Sequence, residues 1–293
     1  MPERSSIIVS MNRLTTEKRA QVIAALVEGN SIRATVRMTG VAKNTVVKLL
    51  VDLGEACARY QDETLRGLTC RRIQCDEIWS FCYAKAKNVP AEHKGDFGYG
   101  DVWTWTAIDA DSKLVLSWCI GGRDSYTALA FMQDVARRLT QRVQLTTDGH
   151  KAYLDAVERT FGQNIDYAML QKLYGTDGEA EKRYSPAKCI GTDIQRIQGI
   201  PDPKHISTSY VERQNLTMRM GMRRFTRLTN AFSKKVQNLG HAVALHFMYY
   251  NFCRRHQTLG MTPAMASGLT DHEWSIDEMV GLLEEREVAA TSN

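Results

Sequence analysis

Three acidic residues occupy positions where an isolated carboxylate is costly. Asp76 lies inside an alternating segment rich in aromatic side chains, Asp148 precedes Gly149 at the end of a short apolar segment, and Glu212 lies in a segment with helical spacing. A buried carboxylate needs a cation or several hydrogen-bond donors to remain charged. If the fold brings the three together, we expect a divalent metal between them. Mg²⁺ suits such oxygen ligands, with Mn²⁺ as an alternative, and two ions ~3.5–4 Å apart support phosphoryl transfer.

Each of these acids also has a purely structural interpretation. Asp76 could pair with Arg72, and Asp148 could simply form an Asp-Gly turn. Glu77 should point to the face of the strand opposite Asp76, because side chains alternate along a strand, so it is the weaker candidate ligand.

The surroundings of Glu212 reduce its structural interpretations to one. No basic residue stands three or four positions away, so a local salt bridge is excluded. Ser209-Tyr-Val-Glu212 fits a capping box, which leaves a helix cap and a metal ligand as alternatives. The two other acidic motifs favour the metal. Helical phase places Asn215, Arg219 and Arg223 on the Glu212 face, in a row that could follow a phosphate backbone away from a metal.

Residues 14–53 are predicted to form three short helices with a turn at Gly40. A helix, a glycine turn and a helix with a polar first turn are typical of a helix-turn-helix, whose second helix enters the DNA major groove. The alternative is a plain helical hairpin, and Ala42 stands where a stronger capping residue is usual. The candidate DNA-binding residues of this helix are Lys43, Asn44, Thr45 and Lys48.

The rest of the chain has the pattern of an α/β protein with a mixed sheet. Period-two alternation, a hairpin signal around residues 109–112 and helical spacing over 125–139 are followed by two further strand and helix signals. Residues 174–204 are predicted to be a long irregular insertion, followed by two helices. The predicted division is a helix-turn-helix domain over 1–54, a linker helix over 55–70, a catalytic domain over 71–258 and a C-terminal tail over 259–293.

Charge is distributed unevenly along the 293 residues, although the net charge is only +5. Seven basic residues and no acid lie between Arg213 and Lys235, whereas seven acids and one arginine lie between Asp271 and Glu287. Such a basic block favours a polyanion partner, with a solvated helix face as the alternative. Its candidate phosphate contacts are Arg213, Arg223, Arg224, Arg227, Lys234 and Lys235.

The cysteines and the apolar segments bear on the compartment. Seven cysteines occur without any Cys-x-x-Cys, which argues against zinc and for reduced thiols. We find no secretory leader and no apolar run of the ~18 residues that a membrane span requires. The expected location is the bacterial cytoplasm, in association with the nucleoid.

Three segments, CDEIWSF, TTDGHKAY and STSYVERQNLTMRMGMRRFTRLTNAFSKK, resemble the D-D-E transposases of bacterial insertion sequences. The branch they resemble most is the family named after insertion sequence one. The resemblance implies a ribonuclease-H-like core, two divalent metals, and Asp76, Asp148 and Glu212 as the catalytic, metal-binding triad. It also implies that Arg219 contacts DNA. The interval between Asp148 and Glu212 is longer than in many relatives, and the cysteines do not support the N-terminal zinc-binding module that some members of the branch carry.

The expected function is therefore a transposase that binds terminal inverted repeats of double-stranded DNA through its helix-turn-helix. A metal-bound water would cut at the transposon end, and the freed 3′-hydroxyl would attack target DNA. Synapsis of two ends implies a homodimer or higher oligomer. His150 could contact the scissile phosphate, although a surface histidine is the simpler interpretation. The alternatives are a metal-dependent nuclease of the same fold and a non-catalytic DNA-binding regulator.

Overall fold

A six-stranded mixed sheet forms the centre of the molecule. The computed structural model describes residues 14–175, 189–226 and 230–291, with side chains as far as residue 284. The strands are β1 (Arg72–Cys82), β2 (Gly100–Asp109), β3 (Val115–Gly121), β4 (Gln144–Thr147), β5 (Asp166–Tyr174) and β6 (Cys189–Gln198). Their order across the sheet is β3-β2-β1-β4-β5-β6.

Nine α-helices lie in the described part of the chain. They are α1 (Thr16–Val27), α2 (Ile32–Thr39), α3 (Lys43–Thr64), α4 (Ser125–Arg138), α5 (Ala152–Phe161), α6 (Ser209–Gly221), α7 (Val236–Met248), α8 (Pro263–Ala266) and α9 (Ile276–Thr291). A single π-helical turn, Tyr249–Cys253, continues α7.

The first five strands confirm the predicted mixed α/β sheet of the ribonuclease-H-like type. β1, β2 and β3 form an antiparallel meander, whereas β4 and β5 join β1 in parallel. The β2–β3 turn is held by Asp109, whose Oδ2 accepts from the amide of Ser112 at 2.8 Å and from its hydroxyl at 2.6 Å. The chain alternates strand and helix after β3, which requires the parallel crossovers that build this sheet.

The prediction of an irregular insertion over 174–204 is wrong at its C-terminal half. Residues 189–198 form β6, which pairs antiparallel with β5 and extends the sheet by one strand. Nearly all β6 side chains are exposed, so the strand lacks the alternation of buried and exposed residues that marks a strand in a sequence. Residues 176–188 of the predicted insertion lie outside the described residues.

The three N-terminal helices and their turn are present. Thr15 and Ser31 cap α1 and α2, and Gly40 ends α2 with φ +72°, a conformation that glycine adopts without strain. Ala42 precedes α3 without a side-chain cap, as expected from its methyl group.

The predicted linker helix does not exist as a separate element. α3 runs without interruption from Lys43 to Thr64, across the boundary predicted between residues 54 and 55. A Cβ at residue 54 would lie 2.6 Å from the Cβ and the carbonyl oxygen of His241 on α7. The glycine therefore permits a close approach of two helices rather than ending one. Further along α3, Gln61 Nε2 donates to the carbonyl of Ala244 on α7 at 3.0 Å.

The last helix is packed and does not form a tail. α9 contacts α1 and α3, and the side chains of Met279 and Val280 are fully buried. One continuous apolar cluster joins α1, α3, the sheet, α7 and the start of α9. None of the described helices is both long and apolar enough to cross a membrane.

Candidate active site

Asp76 and Asp148 are brought together by the pairing of two parallel strands. β1 lies in the interior of the sheet, and its Cys75 pairs with Thr147, the last residue of β4. Asp76 follows Cys75 and Asp148 follows Thr147, so the two carboxylates meet where β4 ends. The carboxyl ends of parallel strands are the usual position of ligand sites in open α/β sheets. Carboxylate oxygens of Asp76, Glu77 and Asp148 all lie within 4.8 Å of one another.

Asp76 is a crowded, half-buried carboxylate. Its Oδ1 accepts from the Glu77 amide at 2.8 Å, and its Oδ2 accepts from Asn215 Nδ2 on α6 at 2.8 Å. Burial, followed by the negative charges of Asp148, Glu77 and Glu212, raises the pKa of Asp76 to about 7. The pairing with Arg72 that the sequence allowed does not form, because Arg72 bonds Asp111 at the far end of β1.

Glu77 is closer to the two aspartates than the sequence suggested. Its side chain does point to the opposite face of β1, where the Tyr153 hydroxyl of α5 donates to Oε2 at 3.1 Å. Arg123 Nε donates to Oε1 at 2.6 Å, so both carboxylate oxygens have strong partners. The Glu77 side chain is completely buried and has no oxygen directed to solvent. Because both of its oxygens are already bonded, we interpret Glu77 as a residue that positions Arg123 rather than as a metal ligand.

Arg123 closes the side of the site next to Asp148. Its guanidinium lies 5.0 Å from the centre of the Trp103 ring and 3.4 Å from Asp148 Oδ2. Burial and the Arg123 charge lower the pKa of His150, whose backbone amide donates to Asp148 Oδ1 at 3.0 Å. The His150 ring packs against Trp105 and is half-buried rather than on the surface. The sequence did not single out Arg123, because it lies 46 residues from Glu77 and carries no local signal.

Glu212 faces the site from α6. Its Oε1 accepts from the Thr208 hydroxyl at 2.7 Å, and its Oε2 pairs with Lys172 of β5. The capping box is wrong, because the Ser209 amide donates to Ser207 Oγ instead. The cation that neutralises Glu212 comes from a different element, which helical spacing cannot show. No oxygen of Glu212 joins the group of three carboxylates within 4.8 Å, yet its charge contributes to the raised pKa of Asp76.

Strand β1 itself positions α6. Gln74 Oε1 accepts from the first-turn amides of Tyr210 at 2.8 Å and Val211 at 3.2 Å. These amides have no partner within the helix, so the side chain acts as a cap supplied by the sheet. Two residues further along β1, Asp76 holds Asn215 on the same helix. The side chains of Val211, Met218, Met222 and Phe225, on α6 and directly after it, are buried against the protein core.

The predicted DNA-binding residues fall into three groups. Lys43, Asn44, Thr45 and Lys48 are exposed at the start of α3, with Lys48 paired to Asp52. Arg223, Lys234 and Lys235 are exposed, and Arg219 is half-buried on the Glu212 face. Asn215 is buried on Asp76, and Arg224 is half-buried with its Nε donating to Ser233 at 2.8 Å. Arg227 lies outside the described residues.

The donor set fits a hard divalent cation. Among the described residues, Asp76, Glu77 and Asp148 form the group whose oxygens lie close enough to share an ion, and Glu212 faces this group from α6 with a further carboxylate. A bound cation would relieve the repulsion that raises the Asp76 pKa. All seven cysteines are free thiols.

No protein-family model and no curated protein sequence matches the chain. The chain is similar to the Mos1 strand transfer complex, at 13% identity and a TM-score of 0.24 over 53% of this chain and 58% of that one. It is also similar to the piggyBac transposase synaptic complex with hairpin DNA, at 9% identity and a TM-score of 0.39 over 97% and 75% of the two chains. A third similar structure is the Mos1 mariner paired end complex with Mn, at 11% identity and a TM-score of 0.27 over 80% of this chain and 77% of that one. At this level of likeness, the function must be inferred from the site itself.

Proposed function

We propose that the chain is a D-D-E DNA transposase that cuts at transposon-end inverted repeats and joins the 3′ ends to target DNA. The observation that carries the proposal is the convergence of acids on a ribonuclease-H-like sheet. Asp76 and Asp148 meet at the end of β4, and Glu212 acts electrostatically on Asp76 from α6. Three acids converging from separate elements destabilise a protein unless they bind a cation, so their presence favours a function over a structural role.

In this proposal Asp76, Asp148 and Glu212 hold two Mg²⁺ ions, or Mn²⁺. When bound, the ions supply activation of the attacking oxygen and stabilisation of the leaving oxygen in an in-line displacement. Lys172 is the counter-ion of Glu212, so an ion bound by Glu212 would compete with this lysine for the carboxylate.

Neighbouring residues orient the acids and the substrate. Asn215 fixes Asp76, and the His150 amide fixes Asp148. Arg123, held by Glu77 and stacked near Trp103, presents its guanidinium beside Asp148, where it would bind a non-bridging phosphate oxygen. A planar guanidinium suits this role because it can donate to a carboxylate and a phosphate together.

The finer assignments rest on sequence motifs. The three segments that carry the resemblance favour the insertion sequence one branch, and the exposed polar first turn of α3 suits major-groove contacts to the terminal repeats. Two ends must be paired for joining, so the active species would be a homodimer or higher oligomer on DNA. The proposed location is the bacterial nucleoid.

A strand-transfer assay tests the proposal. The substrate is a plasmid carrying the gene with its native flanking DNA, incubated with the protein, Mg²⁺ and a second, differently sized circular duplex. The proposal predicts products in which 3′ ends of the element are covalently joined to the second duplex, and none when EDTA is present. Cleavage without joining would instead identify a metal-dependent nuclease of the same fold. Binding without cleavage in either Mg²⁺ or Mn²⁺ would identify a DNA-binding regulator.

A further inference from the structure

A second charged feature lies on the other side of α6. A groove of about 590 Å³ runs between α6, the β2–β3 turn and the segment after the π-helical turn. Five basic side chains from three parts of the chain line it: Lys113, Arg213, Arg254, Arg255 and His256. Only Arg213 belongs to the basic block of the sequence.

The cations in this groove are incompletely neutralised. Arg213 and Arg254 are exposed, and among the described residues no carboxylate lies within ion-pair distance of either. Arg255 is paired with Glu273 at 3.3 Å, and the Lys113 ammonium lies 3.7 Å from the centre of the Tyr210 ring. Burial, followed by the charges of Lys113, Arg254 and Arg213, lowers the pKa of His256, which shows that these cations converge. An excess of unpaired positive charge in a concave surface attracts anions.

The wall of the groove also contains a buried donor with no acceptor. Gln214 is 2% exposed, and its Nε2 has no hydrogen-bond partner in the described part of the protein. An unpaired buried amide donor is unfavourable, so we expect the Gln214 amide to turn toward an oxygen acceptor when the groove is occupied. Thr217, Gln257 and Thr258 add neutral groups that can donate to phosphate oxygens.

The groove and the acids occupy opposite flanks of one helix. At 100° per residue, Glu212, Asn215 and Arg219 share one flank of α6, and Tyr210, Arg213, Gln214 and Thr217 share the flank ~180° away. The helix is ~10–12 Å thick, which is comparable with the ~12 Å width of the DNA major groove. A duplex lying across α6 could therefore place one backbone at the acids and the other in the basic groove.

We propose that this groove binds the phosphate backbone of duplex DNA. The placement of one DNA strand at the acids and the other in the groove rests on the proposed function. Binding of duplex DNA by the groove does not. The contacts are sequence-independent, because phosphates carry no base identity. Arg213 and Arg254 supply the charge, and Gln214 supplies a hydrogen bond.

The test compares two double variants that each remove two exposed arginines. Arg213→Gln with Arg254→Gln neutralises the groove, and Arg137→Gln with Arg159→Gln removes the same charge from α4 and α5. Affinity for a fluorescent random-sequence 40-base-pair duplex is measured in EDTA by anisotropy, from 50 to 300 mM salt. The groove variant should bind roughly 10–100-fold more weakly at 0.1 M salt, and its salt slope should fall by about 2, since each phosphate contact contributes about 0.9.

Three further results decide the outcome. The control variant and Arg213→Lys with Arg254→Lys should keep the wild-type slope, the latter because it retains both charges. The proposal is overturned if the groove variant binds like wild type, or if the control weakens binding equally. Thermal melting of each variant confirms folding. If wild type binds through the groove but never cleaves DNA in Mg²⁺, the groove stands and the proposed transposase function fails.

Discussion

Neighbouring acids on β1 have different roles because alternate strand positions face different surroundings. Asp76 faces α6 and keeps only two neutral donors, the Glu77 amide and Asn215. Glu77 faces α5 and is enclosed by Arg123 and Tyr153. Both carboxylates lie close to Asp148. Their hydrogen-bond partners differ, and these partners favour Asp76 as the metal ligand and Glu77 as a positioning residue.

Alanine at residues 77 and 212 should separate stability from activity. Glu77→Ala leaves the buried Tyr153 hydroxyl without an acceptor and should lower the free energy of unfolding by about 1–3 kcal/mol. Glu212→Ala releases the partly exposed Lys172 and the Thr208 hydroxyl but also removes a charge that repels Asp76, so its stability cost should be about 0–1 kcal/mol, yet it should abolish Mg²⁺-dependent cleavage. Urea unfolding and a nicking assay measure the two effects. Equal stability losses would contradict the assigned roles.

Asp76→Asn should stabilise the ion-free protein in a pH-dependent manner. The folded-state pKa of Asp76 is raised to about 7 from 3.8, so its ionisation weakens the folded state as pH rises through this range. The stability advantage of the variant should be near zero below pH 4 and reach at most about 4 kcal/mol above pH 7. Asn215 can rotate its amide to present its unpaired Oδ1 to the new side chain.

Chemical denaturation in EDTA at several pH values measures this difference. Adding Mg²⁺ at pH 8 should then stabilise wild type but not Asp76→Asn, because the variant lacks a charged ligand. A pH-independent difference between the two proteins would contradict the crowding of charge at Asp76.

At the scale of elements, two contacts fix the geometry of the site. Gln74 caps α6 from β1, and Gly54 allows α3 and α7 to pack closely. The first contact places Glu212 beside the sheet. The second joins the N-terminal helices to the helix that follows the basic block, so the proposed DNA-reading and catalytic parts are rigidly connected.

Gly54→Ala should destabilise the protein, because the added Cβ would meet His241 backbone at 2.6–2.8 Å. Overpacking of this kind typically costs about 1–3 kcal/mol. Gly281→Ala in α9 is the matched control, since nothing lies within 4 Å of its Cβ and alanine favours a helix by up to about 1 kcal/mol. Thermal unfolding should show a lower melting temperature for the first variant and an equal or higher one for the second. A melting temperature unchanged by Gly54→Ala would contradict the close packing.

The sequence predicted the elements whose signals are local. Alternation identified β1, which carries Asp76, and the segment before Asp148-Gly149 identified β4. The Asp109 turn identified the hairpin of β2 and β3. β6 was missed because its side chains are exposed on both faces, and the boundary after residue 54 was wrong because Gly54 serves a close contact with another helix. Lys172 and Arg123 were missed because each meets its acid only through the tertiary fold.

At the scale of the molecule, the predicted modules share one apolar core. The cluster extends from Val22 and Leu50 through the sheet to Phe252 and Met279. Since no layer of solvent-exposed chain separates the N-terminal helices from the sheet, we do not expect them to unfold independently.

Calorimetry should therefore show a single cooperative transition, with equal calorimetric and van't Hoff enthalpies. Tryptophan fluorescence reports on the sheet through the buried Trp105, and far-ultraviolet circular dichroism reports chiefly on the helices. The two transitions should coincide. Two separated transitions, with part of the helical signal lost first, would show that the N-terminal helices are an independent domain.

The most direct test of the active-site assignment compares Asp148→Asn with Asp155→Asn. Asp155 is an exposed carboxylate on α5, paired only with Arg159 at 3.4 Å, so its loss controls for the removal of one negative charge. Each variant is incubated with Mg²⁺ and the plasmid carrying the gene and its flanking DNA, and DNA binding is measured in parallel. We predict that Asp148→Asn binds DNA like wild type but cleaves at background level, whereas Asp155→Asn cleaves normally. Wild-type cleavage by Asp148→Asn would contradict the assignment of the Asp76, Asp148 and Glu212 site.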